Sequence, residues 1–109
     1  MDCVFCRIVQ GELPAEKVYE DEAFVAFRDI RPKAPVHVLV VPKAHVARLS
    51  DYPDTEDGER ALGQLFRTAN RVARDVLKLE GYRVQVNVGE AGGQEVFHVH
   101  VHVLGGWRR

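Results

Sequence analysis

The chain has 109 residues, of which 46% are hydrophobic and 28% charged, and its formal net charge is −1 at neutral pH. This balance is typical of a folded globular chain and excludes a wholly disordered one. The near-neutral charge also argues against a sequence-independent nucleic-acid binder, which needs a clustered positive excess. The length fits one domain, which we expect to cover residues 1–109.

The N-terminal twenty residues contain no apolar run of signal-peptide length, because Asp2, Arg7, Gly11 and Pro14 interrupt them. No other window approaches the length and hydropathy of a membrane span. We therefore expect a soluble, cytoplasmic protein whose partners include neither a membrane nor a nucleic acid.

The first third of the chain predicts a short helix and three strands. Residues 3–9 form the helix, which Gly11 and Pro14 end. Residues 17–20 and 23–27 are two short strands joined in hairpin fashion. Residues 36–41 are rich in β-branched side chains and predict a third strand, which ends at Pro42.

The middle of the chain predicts one long helix. Asp54 or Thr55 can cap its N-terminus, and Lys78 followed by Gly81 supplies the stop. Apolar residues recur between these signals at spacings of three and four and form one stripe: Leu62, Leu65, Phe66, Ala69, Val72, Ala73 and Val76.

Two further strands are predicted at residues 82–88 and 96–104. Helices and strands do not alternate as in a βαβ series, so the expected fold class is α+β: a five-stranded antiparallel sheet with one long and one short helix. Strand side chains alternate between faces. Val84, Val86 and Val88 should therefore lie on one face with Val99, Val101 and Val103, and His98, His100 and His102 on the other.

Three alternating histidines on one strand face allow three interpretations. Histidine serves as a neutral nucleophile or as a charged donor near neutral pH, which suits attack on a phosphorus. Two histidines two residues apart, here His100 and His102, can also ligate a catalytic metal. A purely structural role is the third interpretation.

The segment His98-Val99-His100-Val101-His102-Val103 resembles the signature of the histidine triad family, and its flanks, residues 92–97 and 104–106, match as well. Residues 26–37 resemble the nucleotide-pocket segment of the Hint branch of that family. The resemblance covers nearly the whole chain. It implies a purine-nucleotide-binding hydrolase that cleaves adenosine 5′-phosphoramidates to AMP and an amine through a nucleotidyl-histidine intermediate.

The resemblance also implies roles for individual residues. His100 is the nucleophile, His102 donates to the phosphate, His37 orients the histidine cluster, and His98 is the fourth residue of the predicted catalytic set. The nucleotide would contact eight residues: Phe5, Ile8, Phe27 and Ile30 around the base, Asp29 at the ribose, and Asn87, Gly93 and Glu95 on the phosphate and leaving-group side.

Several of these positions have simpler interpretations from the residues alone. The four apolar ones can be plain core, Asp29 can be a turn residue before Pro32, and Asn87 can make a hydrogen bond at a strand end. At Glu95, eukaryotic Hint proteins usually have a serine, whereas bacterial-like members can carry the glutamate.

Cys3 and Cys6 form a C-x-x-C motif that lacks the preceding strand of a thioredoxin-like redox site. Some bacterial members of the family, and the related galactose-1-phosphate uridylyltransferases, bind zinc through corresponding residues. The resemblance thus predicts a closed structural Zn²⁺ site made of Cys3, Cys6, His45 and His98. Two free thiols in a reducing cell are the alternative.

Two rival functions remain open from the sequence: a dinucleoside-polyphosphate hydrolase and a non-catalytic nucleotide-binding regulatory module. Members of the family usually form homodimers whose two sheets join into one of ten strands. The long helix and the strand at residues 82–88 are the expected interface.

Overall fold

The computed structural model describes residues 3–108. The helices are α1, Val4–Val9, and α2, Glu56–Arg71, and the strands are β1, Lys17–Glu20; β2, Phe24–Arg28; β3, Val36–Pro42; β4, Tyr82–Gln85; and β5, Val101–Gly105. All neighbouring strands are antiparallel, in the order β1-β2-β3-β5-β4. The predicted α+β class with five strands is therefore confirmed.

The long helix α2 covers one face of the sheet. The Thr55 side chain caps it by accepting a hydrogen bond from the Gly58 N–H at 3.1 Å. Helix and sheet enclose the main core, to which α2 and the turn after it contribute Leu65, Ala69, Val72 and Ala73. Phe66 and Val76 of the predicted apolar stripe remain more than one third exposed, so the buried stripe is narrower than the sequence pattern suggested.

A second, smaller core lies on the opposite face, where the short helix α1 packs against β2 and β3. Phe5 and Ile8 of α1 contact a cluster that includes Val25, Phe27 and Leu39. This is the face on which the sequence predicts the three histidines. It is apolar where α1 covers it, and the histidines lie beside that covered part.

The last two strands are shorter than predicted. β4 ends at Gln85, and β5 begins only at Val101, so of the three histidines His102 alone lies within a strand. The shortening follows from pairing: the β3–β5 ladder ends at Val40 and Val101, and the Val99 N–H donates to the carbonyl of Val46 instead.

The predicted alternation of faces nevertheless holds for residues 98–103. Val99, Val101 and Val103 lie in the main core, and His98, His100 and His102 point to the other side. Val84, on the edge strand β4, and Val88, which follows that strand, do not join that core and are exposed.

The remaining boundary errors are small. Helix α1 begins at Val4 because Cys3 is its N-cap, and β2 is displaced by one residue from the predicted 23–27. The long helix ends in a π-helical turn, Val72–Val76, before Leu77. No helix among residues 3–108 is both long enough and apolar enough to cross a membrane.

Candidate functional site

A cavity of about 480 Å³ opens on the histidine face of the sheet, within the size range of small-ligand sites. Its walls come from α1, β2, β3, β5 and the segments that follow β2 and β4. Eleven of the residues predicted from the sequence line it: Phe5, Ile8, Phe27, Asp29, Ile30, His37, Asn87, Gly93, Glu95, His100 and His102. The structure thus brings together every predicted nucleotide and catalytic residue except His98.

The apolar wall of the cavity is also core. Phe5, Ile8 and Phe27 are buried in the second core, and the rings of Phe5 and Phe27 meet edge to face at 5.4 Å. The two interpretations of these residues are therefore compatible, since the same side chains fill the core and line the cavity. Ile30 differs, because it lies at the cavity mouth with 92% of its surface exposed.

His100 is buried, and a backbone carbonyl holds its ring. Its Nδ1 lies 2.7 Å from the carbonyl oxygen of His98. A carbonyl only accepts hydrogen bonds, so Nδ1 must carry the proton. In the neutral ring Nε2 then keeps a free lone pair. Burial lowers the pKa of His100 and favours that neutral form.

His102 is oriented by a relay of hydrogen bonds through His37. The Lys33 backbone N–H donates to Nδ1 of His37 at 3.0 Å, so the proton of neutral His37 is on Nε2. That nitrogen lies 2.9 Å from Nδ1 of His102 and donates to it. His102 is consequently left with Nε2–H as a donor.

Burial also keeps the two relay histidines neutral. It lowers the pKa of His37, against an opposing effect of Asp29, whose Oδ2 lies 3.5 Å from His37 Nε2. For His102, burial together with the neighbouring His100 and His37 lowers the pKa to about 4. Near neutral pH the cluster therefore presents one free lone pair, on His100, and one N–H donor, on His102.

The polar residues around the histidines also make local hydrogen bonds. Asp29 Oδ1 accepts from the Arg31 N–H at 2.8 Å, as the turn interpretation predicts. Asn87 donates to the Gly92 carbonyl at 2.9 Å, as the strand-end interpretation predicts. Gly93 has a φ of 88°, and a Cβ there would lie 3.1 Å from Asn87 Nδ2, so this turn favours glycine.

Gln94 is a buried polar residue for which the sequence predicts no role. Its Oε1 accepts from the Gly89 N–H, and its Nε2 donates to the carbonyls of Ala47 and Val96. Gln94 thereby connects the loop that contains Gly89 to the segment after β3 that contains Ala47. Lys33 was also missed, because it acts through its backbone N–H and leaves no side-chain signal in the sequence.

His98 belongs to a second cluster, with Cys3, Cys6 and His45. Its Nδ1 lies 3.4 Å from Cys3 Sγ, 3.5 Å from Cys6 Sγ and 3.2 Å from His45 Nδ1. Cys6 Sγ lies 3.3 Å from His45 Nδ1. Ligand atoms on a tetrahedral Zn²⁺ are about 3.3–3.8 Å apart, so these four side chains can hold such a metal.

The tautomer of His98 also fits a ligand. Its Nε2 lies 2.7 Å from the Pro42 carbonyl and must donate to it, which leaves the Nδ1 lone pair directed at the cluster. Burial lowers the pKa of His98 and likewise favours the neutral ring. Burial raises the pKa of the Cys6 thiol, an effect that a bound cation would oppose.

Comparison with known proteins gives consistent matches. The model of the HIT domain family matches residues 10–108. An uncharacterized HIT-like protein of Synechococcus elongatus is 46% identical over 105 residues, which are 96% of this chain and 90% of the relative.

Two solved structures extend the comparison. A HIT family hydrolase from Legionella pneumophila Philadelphia 1 is 46% identical, with a TM-score of 0.89 over 98% of this chain and 95% of its own. A Zn-bound histidine triad family protein from Mycobacterium smegmatis is 40% identical, with a TM-score of 0.78 over 96% of this chain and 75% of its own.

Proposed function

The chain belongs to the HIT domain family, and on that premise we propose that it hydrolyses the P–N bond of adenosine 5′-phosphoramidates, releasing AMP and an amine. The observation that carries the proposal is the His100 ring. Its Nδ1–H is held by the His98 carbonyl, its Nε2 lone pair is free, and the ring lines the cavity. An activated, neutral nucleophile of this kind is what covalent phosphoryl chemistry needs.

The reaction proceeds in two displacements. Nε2 of His100 attacks the phosphorus, and the P–N bond breaks with its electron pair going to the amine, which takes a proton from solvent. Water then attacks the nucleotidyl-His100 phosphorus, the P–Nε2 bond breaks, and AMP leaves while the second proton of the water goes to solvent. His102 donates its Nε2–H to a phosphoryl oxygen and stabilises the developing charge.

The proposed substrate also matches the rest of the cavity. A purine ring fits between the apolar side chains Phe5, Ile8 and Phe27, with Ile30 at the mouth. Asp29 Oδ2 is available to accept from ribose hydroxyls, since Oδ1 is the atom that holds the turn. Asn87, Gly93 and Glu95 also line the cavity, and we assign them to the phosphate and leaving-group side.

Substrate competition tests the assignment. We expect purified protein to release AMP from an adenosine phosphoramidate much faster than from a diadenosine polyphosphate, and denaturing mass spectrometry of a quenched reaction to find the nucleotidyl group on His100. Faster cleavage of the polyphosphate would favour the dinucleoside-polyphosphate hydrolase. AMP binding without cleavage of either compound would favour a regulatory module.

We also propose that Cys3, Cys6, His45 and His98 hold a structural Zn²⁺ ion. The donor set is of the Cys₂His₂ kind, and four protein ligands leave no coordination position for a reacting water. When bound, the ion would tie α1 to the rest of the fold. Both cysteines are free thiols, which agrees with the proposed location in the reducing cytoplasm.

Metal analysis of protein purified without chelators tests the zinc proposal. We expect about one zinc per chain, and markedly less in Cys3→Ser and Cys6→Ser. Fewer than about one zinc in ten wild-type chains would reject it.

The quaternary structure we propose is a homodimer in which two sheets continue through β4 into one of ten strands. β4 is an edge strand, so its outer backbone groups are free for such pairing. Val84 on β4 and Phe66 on α2 are exposed apolar side chains that a partner would cover. We expect sedimentation to give the dimer mass, and Val84→Lys to shift it towards the monomer.

A further inference from the structure

His98 connects the metal-ligand cluster, which consists of Cys3, Cys6, His45 and His98 itself, to the candidate nucleophile His100. This residue is fully buried and is engaged on three sides. Its Nε2–H donates to Pro42, its Nδ1 faces Cys3, Cys6 and His45, and its backbone carbonyl accepts from His100 Nδ1–H. The group that sets the tautomer of His100 is thus the backbone of a cluster residue.

The peptide plane that carries this carbonyl is held from its other side as well. The same peptide's N–H belongs to Val99 and donates to the Val46 carbonyl at 2.7 Å. Val46 directly follows His45, the other histidine of the cluster. His45 and His98 therefore hold the two chain segments that are joined by the Val99–Val46 hydrogen bond. Together these segments fix the direction in which the His98 carbonyl points.

A second connection runs through Phe5, which lies between the two cysteines on the cluster side of α1. The ring centroids of Phe5 and His100 are 5.1 Å apart at an angle of 87°, an edge-to-face contact. Phe5 also packs edge to face against Phe27 at 5.4 Å and against His98 at 6.0 Å. A shift of Cys3 or Cys6 would therefore move the aromatic ring that confines the nucleophile.

We propose that His98 is a positioning residue whose backbone orients His100 for reaction only while the Cys3, Cys6, His45 and His98 side chains are fixed together as metal ligands. This inference rests on the proposed function for its rate measurements, but its structural part concerns only His100. With the four side chains released, the His98 ring keeps the Pro42 hydrogen bond alone, and the Val99–Val46 hydrogen bond is the remaining support of the peptide plane, so the plane that holds His100 can tilt. His100 then samples both neutral tautomers, and Nε2 is protonated in one of them.

His45→Ala is the variant of choice, because His45 is not a lining residue of the cavity and its side chain contacts Cys6 and His98. His45→Cys restores a fourth ligand and is the conservative rescue. Leu13→Ala is the matched control, since Leu13 packs against the α1 core without belonging to the cluster or the cavity. It should lower stability while leaving the ligands in position.

Three measurements are made on each zinc-loaded protein: the ring nitrogen signals of His100 by long-range ¹H–¹⁵N NMR, the Kd of AMP, and the single-turnover rate of nucleotidyl-His100 formation. For His45→Ala we expect a mixture of His100 tautomers, a rate lowered by about 10–100-fold, and a Kd changed less than about threefold. His45→Cys should return both the wild-type NMR signals and most of the rate. A purely structural cluster would give Leu13→Ala the same effects as His45→Ala at equal loss of stability, which would overturn the proposal.

If His45→Ala does not fold, wild-type protein loaded with Co²⁺ or with the larger Cd²⁺ replaces it. We then expect the His100 signals to differ between the Zn²⁺, Co²⁺ and Cd²⁺ forms after correction for the paramagnetic shift of cobalt, and identical signals would refute the coupling. If the wild-type protein cleaves no phosphoramidate, the proposed function fails. The NMR comparison on the AMP complex still decides whether His98 positions His100.

Discussion

His98 and His100 are two residues apart, point to the same side of the sheet and are both buried, yet they present opposite ring nitrogens. His98 donates Nε2–H to Pro42 and leaves Nδ1 free, whereas His100 donates Nδ1–H to His98 and leaves Nε2 free. In each case a backbone carbonyl selects the tautomer. One free nitrogen faces two thiols and an imidazole, and the other belongs to a ring that lines an open cavity.

The comparison teaches that the residue type alone does not give a histidine its role. Both rings have a pKa lowered by burial, so both are neutral near pH 7. In the roles that we propose, the position of one acceptor oxygen separates the metal ligand His98 from the nucleophile His100. His100→Ala and Cys6→Ser each change one of the two rings or its surroundings, whereas His37→Ala and a change of pH act on the neighbouring His102.

The largest expected effect is that of His100→Ala. It removes the only ring whose free nitrogen we assign to attack on phosphorus, so cleavage should fall by at least about 10³-fold while AMP still binds. Zinc content and thermal stability should stay close to wild type. Single-turnover kinetics and metal analysis check both halves. A variant that cleaves as fast as wild type would show that the nucleophile is another residue.

Cys6→Ser changes the surroundings of the His98 ring and should act mainly on stability. Loss of one of four ligands should lower the free energy of unfolding by several kcal/mol, because metal binding contributes directly to folding. Denaturant unfolding with and without added zinc measures this effect. Equal stability of variant and wild type at saturating zinc would contradict a structural metal.

His37→Ala changes the support of His102, the proposed phosphate donor, without changing His100, the proposed nucleophile. It removes the N–H that fixes the tautomer of His102, so the rate should fall by about 10–100-fold with zinc retained. His37→Gln keeps a side-chain N–H donor and should recover part of the rate. If His37→Ala and His37→Gln cleave at the same rate, the hydrogen-bond relay from Lys33 through His37 does not contribute to the reaction rate.

The smallest expected effect is that of pH between 6 and 8. Burial and the neighbouring His100 and His37 lower the pKa of His102 from 6.5 to about 4, so its donor is unchanged over that range. The folded chain binds fewer protons than the unfolded one below pH 6.5, so stability should decrease as the pH falls from 6.5 towards 4. NMR titration of His102, together with unfolding at several pH values, gives both results. A midpoint near 6.5 would mean that the ring is solvated.

Much of this arrangement was predictable from the sequence. The alternation of valine and histidine at residues 98–103 predicted the two faces correctly, although His98 and His100 lie outside β5, because extended backbone alternates its side chains even where no ladder forms. Thr55 was one of two predicted caps of the long helix, with Asp54, because a helix N-cap is a local interaction within three residues. The grouping of Cys3, Cys6, His45 and His98 depended on the family resemblance, since the spacing of the two cysteines leaves the other ligands open.

Other features needed the tertiary structure. The start of β5 depends on where its pairing with β3 ends, and Val84 is exposed on a strand that lies at the edge of the sheet. The same holds for partners that set histidine tautomers: the Pro42 carbonyl that accepts from His98 is 56 residues away in the chain, and the Lys33 N–H that donates to His37 comes from the segment before β3.

The sequence by itself therefore determined which side chains of residues 98–103 face the main core and which face the opposite side, because side-chain direction is a property of the local backbone. The tertiary structure decided what each histidine can do. The carbonyl that sets the tautomer of His98 lies 56 residues away in the chain, and the His98 carbonyl that sets the tautomer of His100 is held in place by the tertiary contacts of His98 and Val99. In the function that we propose, the Pro42 carbonyl makes the His98 ring a metal ligand, and the His98 carbonyl makes the His100 ring a nucleophile.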